Sequence, residues 1–348
     1  MKNNKSPAYV SGQRIGLMLL CAFLAIVFVV MLFLTITVQD LLNPITINGN
    51  GTSIDDDYHT GPFIDPDAQF TAPTIDATDP RVTAPTLPSN PNLAVEGVVN
   101  ILLIGDDRRP GEPRQRSDSM ILCSFNKNSN SLTMISFLRD TYVSIPGYRY
   151  DKLNAAYAQK NGLALLNQTL ASNFGVHVDA NIMIDFEGFR AVVDMLGGVD
   201  IELTQKEANY LNKNNGWSLR AGMQHLDGAK ALAYSRIRKI DMDAMRAQRQ
   251  RKVLTAIMNN YKNRNAYEMV TLASQILKAG YIKTDMTASE LSGYILTLFP
   301  MLATANVNNQ QIPAAGTYED MSVGSLGDCK VIDFDINRKI LQNILGSD

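Results

Sequence analysis

Around residue 100 the chain reads Val98-Val99-Asn100-Ile101-Leu102-Leu103-Ile104, and Gly105-Asp106-Asp107 follow directly. A short apolar run that ends in glycine and acidic residues is typical of a buried strand leading into a loop. Two further strands are predicted at Met120–Phe125 and Leu132–Phe137, with a polar turn at 126–131 between them. The folded part of the chain is therefore predicted to begin as a sheet whose strand ends carry charged residues.

Downstream of these strands, the hydrophobic spacing alternates between the helix period and the strand period. It predicts helices at 152–173, from Glu187 to Gly197-Gly198, Ala244–Tyr261, Ala288–Leu298 and Ile336–Leu345, and strands near Ile182–Ile184, Val199–Leu203, Ala305–Ile312 and Lys330–Phe334. Interleaved strands and helices favour an α/β fold. We therefore expect an αβα-type sandwich around a mixed β-sheet over residues 97–348.

The overall composition excludes several classes of protein. The chain has 348 residues, 45% of them hydrophobic and 19% charged, so it can bury a core and is not wholly disordered. Its 32 basic and 34 acidic residues give a formal charge of −2, which argues against a nucleic-acid partner. The three cysteines lack the spacing of a zinc or redox site, and a disulfide between Cys123 and Cys329 stays open.

An uncharged apolar segment covers residues 15–39, which is long enough to cross a bilayer as one helix. No small-residue cleavage pattern follows it, so we expect it to be retained. Lys2, Lys5 and Arg14 precede it and acidic residues follow it, which orients the N-terminus inward. This predicts a cytoplasmic tail at 1–14, a single transmembrane helix in the cell membrane at 15–39, and an extracytoplasmic remainder.

The next segment, residues 40–96, is rich in proline, threonine and aspartate and carries nine acidic residues against one arginine. It has few large apolar residues and no hydrophobic period. Such a composition is typical of a solvated chain that cannot form a core. We expect a flexible acidic linker outside the membrane.

Charged residues cluster where the first three strands begin or end. Asp106-Asp107-Arg108-Arg109 follow the first strand, Arg116-Ser117-Asp118 precede the second, and Arg139-Asp140 follow the third. Strand ends are where α/β folds place ligand sites. Carboxylates beside arginines suit a divalent cation, Mg²⁺ above all, that bridges them to a pyrophosphate. Any single pair could instead be a surface ion pair, and Asp118 could cap a turn or pair with Arg116.

A denser basic cluster covers residues 235–252. Arg236 and Arg238 are two residues apart, so an extended segment would direct both to one side. Arg246, Arg249 and Gln250 fall on one face of a helix. Like charges placed together repel, so a bound polyanion would explain them, and arginine suits bidentate capture of phosphate oxygens.

Taken in order, the motifs of residues 97–262 resemble those of the LytR-CpsA-Psr family. They are Asn100-Ile101-Leu102-Leu103-Ile104-Gly105-x-Asp107-x-Arg109, Arg116-Ser117-Asp118, Ser136-x-x-Arg139-Asp140-Thr141-Tyr142-Val143, Lys152-Leu153-Asn154-Ala155-Ala156-Tyr157, Val193-Asp194-x-Leu196-Gly197-Gly198-Val199, Leu226-x-Gly228-x-x-Ala231-Leu232-Ala233-Tyr234-x-Arg236-x-Arg238 and Asp243-x-x-Arg246-x-x-Arg249-Gln250. One departure is Leu138, where the family usually has proline before the Arg-Asp pair.

The resemblance implies a membrane-anchored cell-wall transferase. It would move a glycopolymer phosphate, such as that of teichoic acid or capsule, from a polyprenyl pyrophosphate carrier to peptidoglycan. Carried over by motif, Asp107 and Asp118 would hold Mg²⁺, with Mn²⁺ as a substitute. The catalytic set would be Asp107, Asp118, Arg139, Arg236 and Arg238, and the pyrophosphate would be bound by Arg109, Arg116, Arg246, Arg249 and Gln250.

Two other functions stay open on the sequence alone. The same site could hydrolyse a polyprenyl pyrophosphate with water as the acceptor. The chain could also be a non-catalytic regulator that binds wall polymers. A binder would need the arginines but not both metal-binding carboxylates, and the joint presence of the two kinds of residue favours the enzyme.

Overall fold

The computed structural model describes residues 74–75, 94–106, 116–238, 240–241, 243–262, 264 and 266–346. The predicted cytoplasmic tail and the predicted transmembrane helix, residues 1–39, lie outside these ranges. Among the residues that are described, no helix combines the length and the apolar character needed to cross a membrane.

The elements are numbered in chain order. The strands are β1 (Thr74–Ile75), β2 (Val98–Asp106), β3 (Ser117–Asn126), β4 (Ser131–Phe137), β5 (Tyr142–Ser144), β6 (Tyr150–Lys152), β7 (Ala180–Asp185), β8 (Val199–Leu203), β9 (Gly222–Leu226), β10 (Ile282–Thr284), β11 (Asn306–Ile312), β12 (Tyr318–Val323) and β13 (Asp328–Ile332). The helices are α1 (Leu153–Tyr157), α2 (Gly162–Phe174), α3 (Phe186–Met195), α4 (Gln205–Asn215), α5 (Gly228–Ser235), α6 (Asp243–Lys262), α7 (Ala266–Lys278), α8 (Ala288–Thr304) and α9 (Phe334–Leu345).

A central six-stranded sheet has the order β10-β7-β2-β3-β4-β11. β7 and β11 run parallel to their neighbours β2 and β4, whereas the pairs β2–β3, β3–β4 and β10–β7 are antiparallel. The sheet is therefore mixed, as predicted.

Successive side chains of a strand point to opposite faces of the sheet, and in this sheet both sets are apolar. Both faces are therefore covered. Leu102 and Ile104 face a core that also contains residues of α1, α2 and α9. Ile101 and Cys123 face the other core, to which α6 and α8 contribute. The predicted mixed α/β fold, with helices on both sides of the sheet, is confirmed for the described residues.

A smaller unit packs beside the sheet. The antiparallel hairpin β8–β9 shares a core with α4, α5 and part of α6, and Tyr234 and Ile237 are buried in it. The capping box of Thr204 and Glu207 begins α4, and Asp227 caps the start of α5. α4, β9 and α5 were not predicted from the sequence, because these elements are short and bury few apolar residues.

Two local expectations were revised by the structure, and one open alternative was decided. The helix predicted over 152–173 is two helices, because the chain turns between Tyr157 and Gly162 with Asn161 at a positive φ of 55°. The segment assigned to the linker contributes β1, which pairs in parallel with β12. Cys123 and Cys329 are both buried free thiols, so the disulfide left open by the sequence is not formed.

Candidate active site

The sheet topology brings the charged strand ends to one edge. β2 and β7 are parallel and end together, with Asp106 opposite Asp185. The antiparallel β3 begins at this edge, with Ser117 opposite Asp106 after a register shift in β2. β4 ends here at Phe137, and Arg139 lies two residues beyond it. The edge is the position where α/β sheets bind ligands.

Three arginines converge on Asp118 at this edge. Arg139 donates from Nη1 to Oδ1 of Asp118 at 2.9 Å, and Arg238 donates from Nη2 to the same oxygen at 3.0 Å. Arg246 donates from Nη2 to the main-chain carbonyl of Asp118 at 2.6 Å. The four residues come from β3, from the loop after β4, from the loop after α5 and from α6.

Asp118 is held as an anion. Its side chain is only 17% exposed. Burial alone would raise the pKa of this carboxyl, but the positive charges of Arg246, Arg238 and Arg139 outweigh burial and hold the pKa below its usual range. Charged arginines around one ionised carboxylate leave a net positive field, which suits a phosphate ligand.

Further ion pairs hold Arg139 and Arg116. Asp140 accepts from Nε of Arg139 at 3.3 Å, and Nζ of Lys152 lies 3.5 Å from the other oxygen of Asp140. Nη2 of Arg116 lies 3.8 Å from Oδ1 of the buried Asp151. Because Asp118 and Asp140 bind different nitrogens of Arg139, its guanidinium plane is fixed. Asp151 and Lys152 were not assigned by sequence, although Lys152 begins one of the quoted motifs.

Arg236 takes a different position. It is exposed at the end of α5, and its guanidinium carbon lies 4.1 Å from the ring centroid of Phe186, at the start of α3. Stacking on an aromatic ring favours a cation and fixes its orientation. Phe186 directly follows Asp185 at the site edge, so Arg236 flanks the site. Phe186 was not predicted as a site residue because a single aromatic residue at a helix start is ordinary.

Arg249 has its charged group engaged away from Asp118. It donates from Nε to Oε1 of Glu207 at 2.8 Å and from Nη1 to the Ile237 carbonyl at 3.1 Å, and both terminal nitrogens bind the Asp241 carboxylate. Its side chain is 3% exposed. Ile237 lies between Arg236 and Arg238, so Arg249 supports the loop that carries them. The sequence grouped Arg249 with the pyrophosphate ligands, whereas the structure places it behind that loop.

Charge balance holds this buried network together. Burial alone would lower the pKa of Arg249, but Asp241 and Glu207 outweigh it and raise that pKa. Burial alone would raise the pKa of Glu207, yet hydrogen bonds from Thr204 and Arg249 lower it. Both groups are therefore ionised at neutral pH, and each satisfies the other.

Gln250, the next residue on α6, does reach the site: its Oε1 accepts a hydrogen bond from Ser119 Oγ at 3.0 Å. Ser119 follows Asp118 on β3, so Gln250 and Arg246 both fix the start of that strand. Asp107 and Arg109 lie outside the described residues. Among the residues that the structure covers, no group of three or more His, Cys, Asp and Glu side chains could hold a metal ion.

Comparison with known proteins identifies the class. The sequence model of the LytR_cpsA_psr family matches residues 71–330, which is most of the chain, and the chain belongs to this family. The resemblance found in the motifs is thereby confirmed. The match begins within the predicted linker, close to β1.

Two relatives of this chain have names that describe different functions, one a transferase and the other a regulatory protein. The chain is 35% identical over 229 residues to the polyisoprenyl-teichoic acid–peptidoglycan teichoic acid transferase TagU of Oceanobacillus iheyensis, an alignment of 63% of this chain and 68% of TagU. It is 29% identical over 256 residues to the regulatory protein MsrR of Staphylococcus aureus, covering 73% of this chain and 76% of MsrR.

A solved structure adds a ligand. The family protein YwtF (TagT) of Bacillus subtilis, with bound octaprenyl pyrophosphate lipid, is 27% identical and superimposes with a TM-score of 0.56, covering 72% of this chain and 91% of that protein. This likeness agrees with the mixed sheet described above.

Proposed function

We propose that this protein is a phosphotransferase that moves a glycan phosphate from a polyprenyl pyrophosphate carrier to peptidoglycan. The observation that carries the proposal is the convergence of Arg139, Arg238 and Arg246 on the ionised Asp118. The relatives named as a teichoic acid transferase and as an octaprenyl pyrophosphate complex support it.

The chemistry is a displacement at phosphorus. An acceptor hydroxyl attacks the phosphorus that bears the glycan, its bond to the bridging oxygen breaks, and polyprenyl phosphate leaves with the displaced charge. The hydroxyl proton passes to solvent or to the leaving phosphate. Arg139 and Arg238 lie where they can stabilise negative charge on the phosphoryl oxygens. The lowered pKa of Asp118 favours its ionised form, and its hydrogen bonds from Arg139 and Arg238 suit an electrostatic role, which we assign to it.

We propose that Asp118 and Asp107 hold a divalent cation, Mg²⁺ or Mn²⁺. The described half of this pair fits: Asp118 is ionised, and both arginine bonds to its side chain go to Oδ1. Mg²⁺ is commonly bound by one or two carboxylates together with substrate phosphates. When bound, such a cation draws charge from the leaving phosphate. The protein side chains orient the substrate around it.

We also propose that residues 15–39 anchor the chain in the cell membrane with residues 40–348 outside. The uncharged segment and the basic residues before it support this arrangement. A polyprenyl carrier is itself embedded in the membrane, so an anchored enzyme meets its donor there. The chain should remain in the pellet when membranes are washed with alkaline carbonate, and release into the wash would contradict the anchor.

The test uses the whole chain in detergent. A shorter chain that began at the first strand of the central sheet would lose β1, which pairs with β12. Purified protein is mixed with Mg²⁺, a polyprenyl-pyrophosphate glycan and muramidase-solubilised peptidoglycan, and release of polyprenyl phosphate is measured. Arg139→Ala and Arg238→Ala should each lower turnover about a hundredfold to a thousandfold, the usual loss for a removed transition-state contact. The exposed Arg220→Ala is the matched control, and equal turnover in all three variants would refute the site.

A further inference from the structure

A cavity lies on the far side of α6 from Asp118. It has a volume of about 980 Å³ and is bounded by the hairpin β8–β9, by α6 and by the sheet-edge strand β11. Six of its polar lining residues are Asp200, Glu202, Gln248, Arg251, Asn259 and Asn309. Nothing in the transfer chemistry above uses this cavity, which we call the hairpin groove.

Arg251 is the unusual residue of the hairpin groove. It is only 9% exposed, yet its Nε and Nη1 are buried with no hydrogen-bond partner within the part of the chain that the structure describes. Burial lowers the pKa of Arg251. A buried cation without a partner destabilises a fold. Arg249, two residues earlier on the same helix and also buried, is paired with two carboxylates.

The remaining lining explains what kind of ligand would supply that partner. Gln248, Asn259 and Asn309 offer amide donors and acceptors, and Asp200 and Glu202 offer acceptors. Such groups match the hydroxyl and amide groups of a sugar, whereas a guanidinium matches a carboxylate or a phosphate bidentately. The cavity lies at the upper end of the usual size range of ligand sites, about 300–1,000 Å³, which is large enough for several sugar rings.

We propose that the hairpin groove binds an acidic saccharide strand, with Arg251 taking a carboxylate or phosphate group of that strand. The choice of a saccharide rests on the proposed function, whereas the anion site at Arg251 does not. Because α6 carries Arg246 and Gln250 toward Asp118 and Arg251 into the groove, a strand bound here is separated from the transfer site by the width of this one helix. The groove would hold a polymer while its reactive end is processed.

The experiment measures binding without the lipid donor. Whole chain in detergent is titrated calorimetrically with muramidase-solubilised peptidoglycan, which carries carboxylates, and separately with hexose phosphate oligomers, whose sugar rings are joined by phosphodiesters. We expect one of these probes to bind, and the arm that binds identifies the source of the acidic group. Arg251→Met should weaken that binding about tenfold to a hundredfold, the worth of one charge-assisted hydrogen bond.

Two other variants keep the result interpretable. Asn309→Asp places a negative charge on the opposite, exposed wall and should weaken binding by repulsion without touching a buried residue. Exposed Arg220→Met should bind as the unchanged chain does. The proposal that the hairpin groove binds an acidic saccharide would be overturned if both Arg251→Met and Asn309→Asp bind as the unchanged chain does, or if neither probe binds.

One further variant distinguishes the function of the transfer site from that of the hairpin groove. Arg238→Ala should lose transfer and keep saccharide binding. If the unchanged chain shows no transfer but binds the probe through Arg251, the proposed function fails and the groove stands. If transfer occurs but Arg251 has no part in binding, the groove fails alone.

Discussion

Two buried arginines on α6 allow one prediction to be worked out in detail. Arg249 is bonded to Glu207 and Asp241, whereas the Nε and Nη1 of Arg251 have no partner among the residues that the structure covers. Replacing each by methionine keeps most of the side-chain volume and removes the charge. Arg249→Met should therefore lower the free energy of unfolding, whereas Arg251→Met should leave it nearly unchanged or raise it.

Arg249→Met leaves two carboxylates without their cation. Removing one partner of a buried ion pair costs about 3–5 kcal/mol. Thr204 still donates to Oε2 of Glu207, and Asp241 is 23% exposed, so the loss should fall near the lower end. A domain of this size loses about 2–4 °C in Tm per kcal/mol, which predicts a fall of about 6–12 °C at the lower end.

Arg251→Met removes a buried charge that no described group compensates, and such a change is commonly neutral or stabilising. Its Tm should stay within about 2 °C of the unchanged chain or rise. The assay is thermal unfolding of the whole chain in detergent at pH 7, followed by circular dichroism. A larger fall in Tm for Arg251→Met than for Arg249→Met would refute the conclusion that carboxylates stabilise the charge of Arg249 and that no described group stabilises the charge of Arg251.

Other predictions concern the metal, pH and the thiols. Asp118→Asn should abolish turnover that depends on a divalent cation, and EDTA should do the same to the unchanged chain until Mg²⁺ or Mn²⁺ is restored; undiminished turnover in EDTA would remove the metal. The pKa values of Asp118 and Glu207 are lowered in the folded chain, so the stabilisation that these carboxylates provide is complete above about pH 4–5, where unfolded carboxyls titrate. This stabilisation is lost as the pH falls through the lower pKa values of the folded chain. The urea midpoint should therefore fall on acidification, and it should fall less steeply in Asp118→Asn. Burial raises the pKa of Cys123 and Cys329 to about 12, so iodoacetamide at pH 8 should label neither until urea unfolds the chain, and native labelling of either thiol would be the contrary result.

Much of the fold could be read from local patterns. β2, β3 and β4 were predicted because each is a nearly continuous apolar run with turn residues at its ends. The assembly of charged groups at one sheet edge followed from those strands. Arg139 was singled out because it follows a strand end, and Arg238 and Arg246 because clustered like charges repel one another unless an anion binds them.

The division of labour among the arginines could not be read in this way. Residues 235–252 look uniformly basic in the sequence, and the helix period puts Arg246, Arg249 and Gln250 on one face. That face meets both β3 and α4, and Arg249 turns toward Glu207 of α4. α4 is mostly polar and buries only Glu207, Ala208 and Leu211, so its hydrophobic pattern was too weak to predict it. Tertiary packing therefore decides which arginine faces a ligand.

The central claim is that phosphate is transferred to a sugar hydroxyl and not to water. The most direct measurement runs the reaction in H₂¹⁸O with the whole chain, Mg²⁺, the polyprenyl-pyrophosphate glycan and solubilised peptidoglycan, and examines the products by ³¹P NMR and mass spectrometry. Transfer by the site around Asp118 predicts a phosphodiester joining glycan to peptidoglycan, free of ¹⁸O, and formed only when peptidoglycan is present. A free glycan phosphate carrying one ¹⁸O atom, formed equally without peptidoglycan, would contradict the claim and identify a hydrolase.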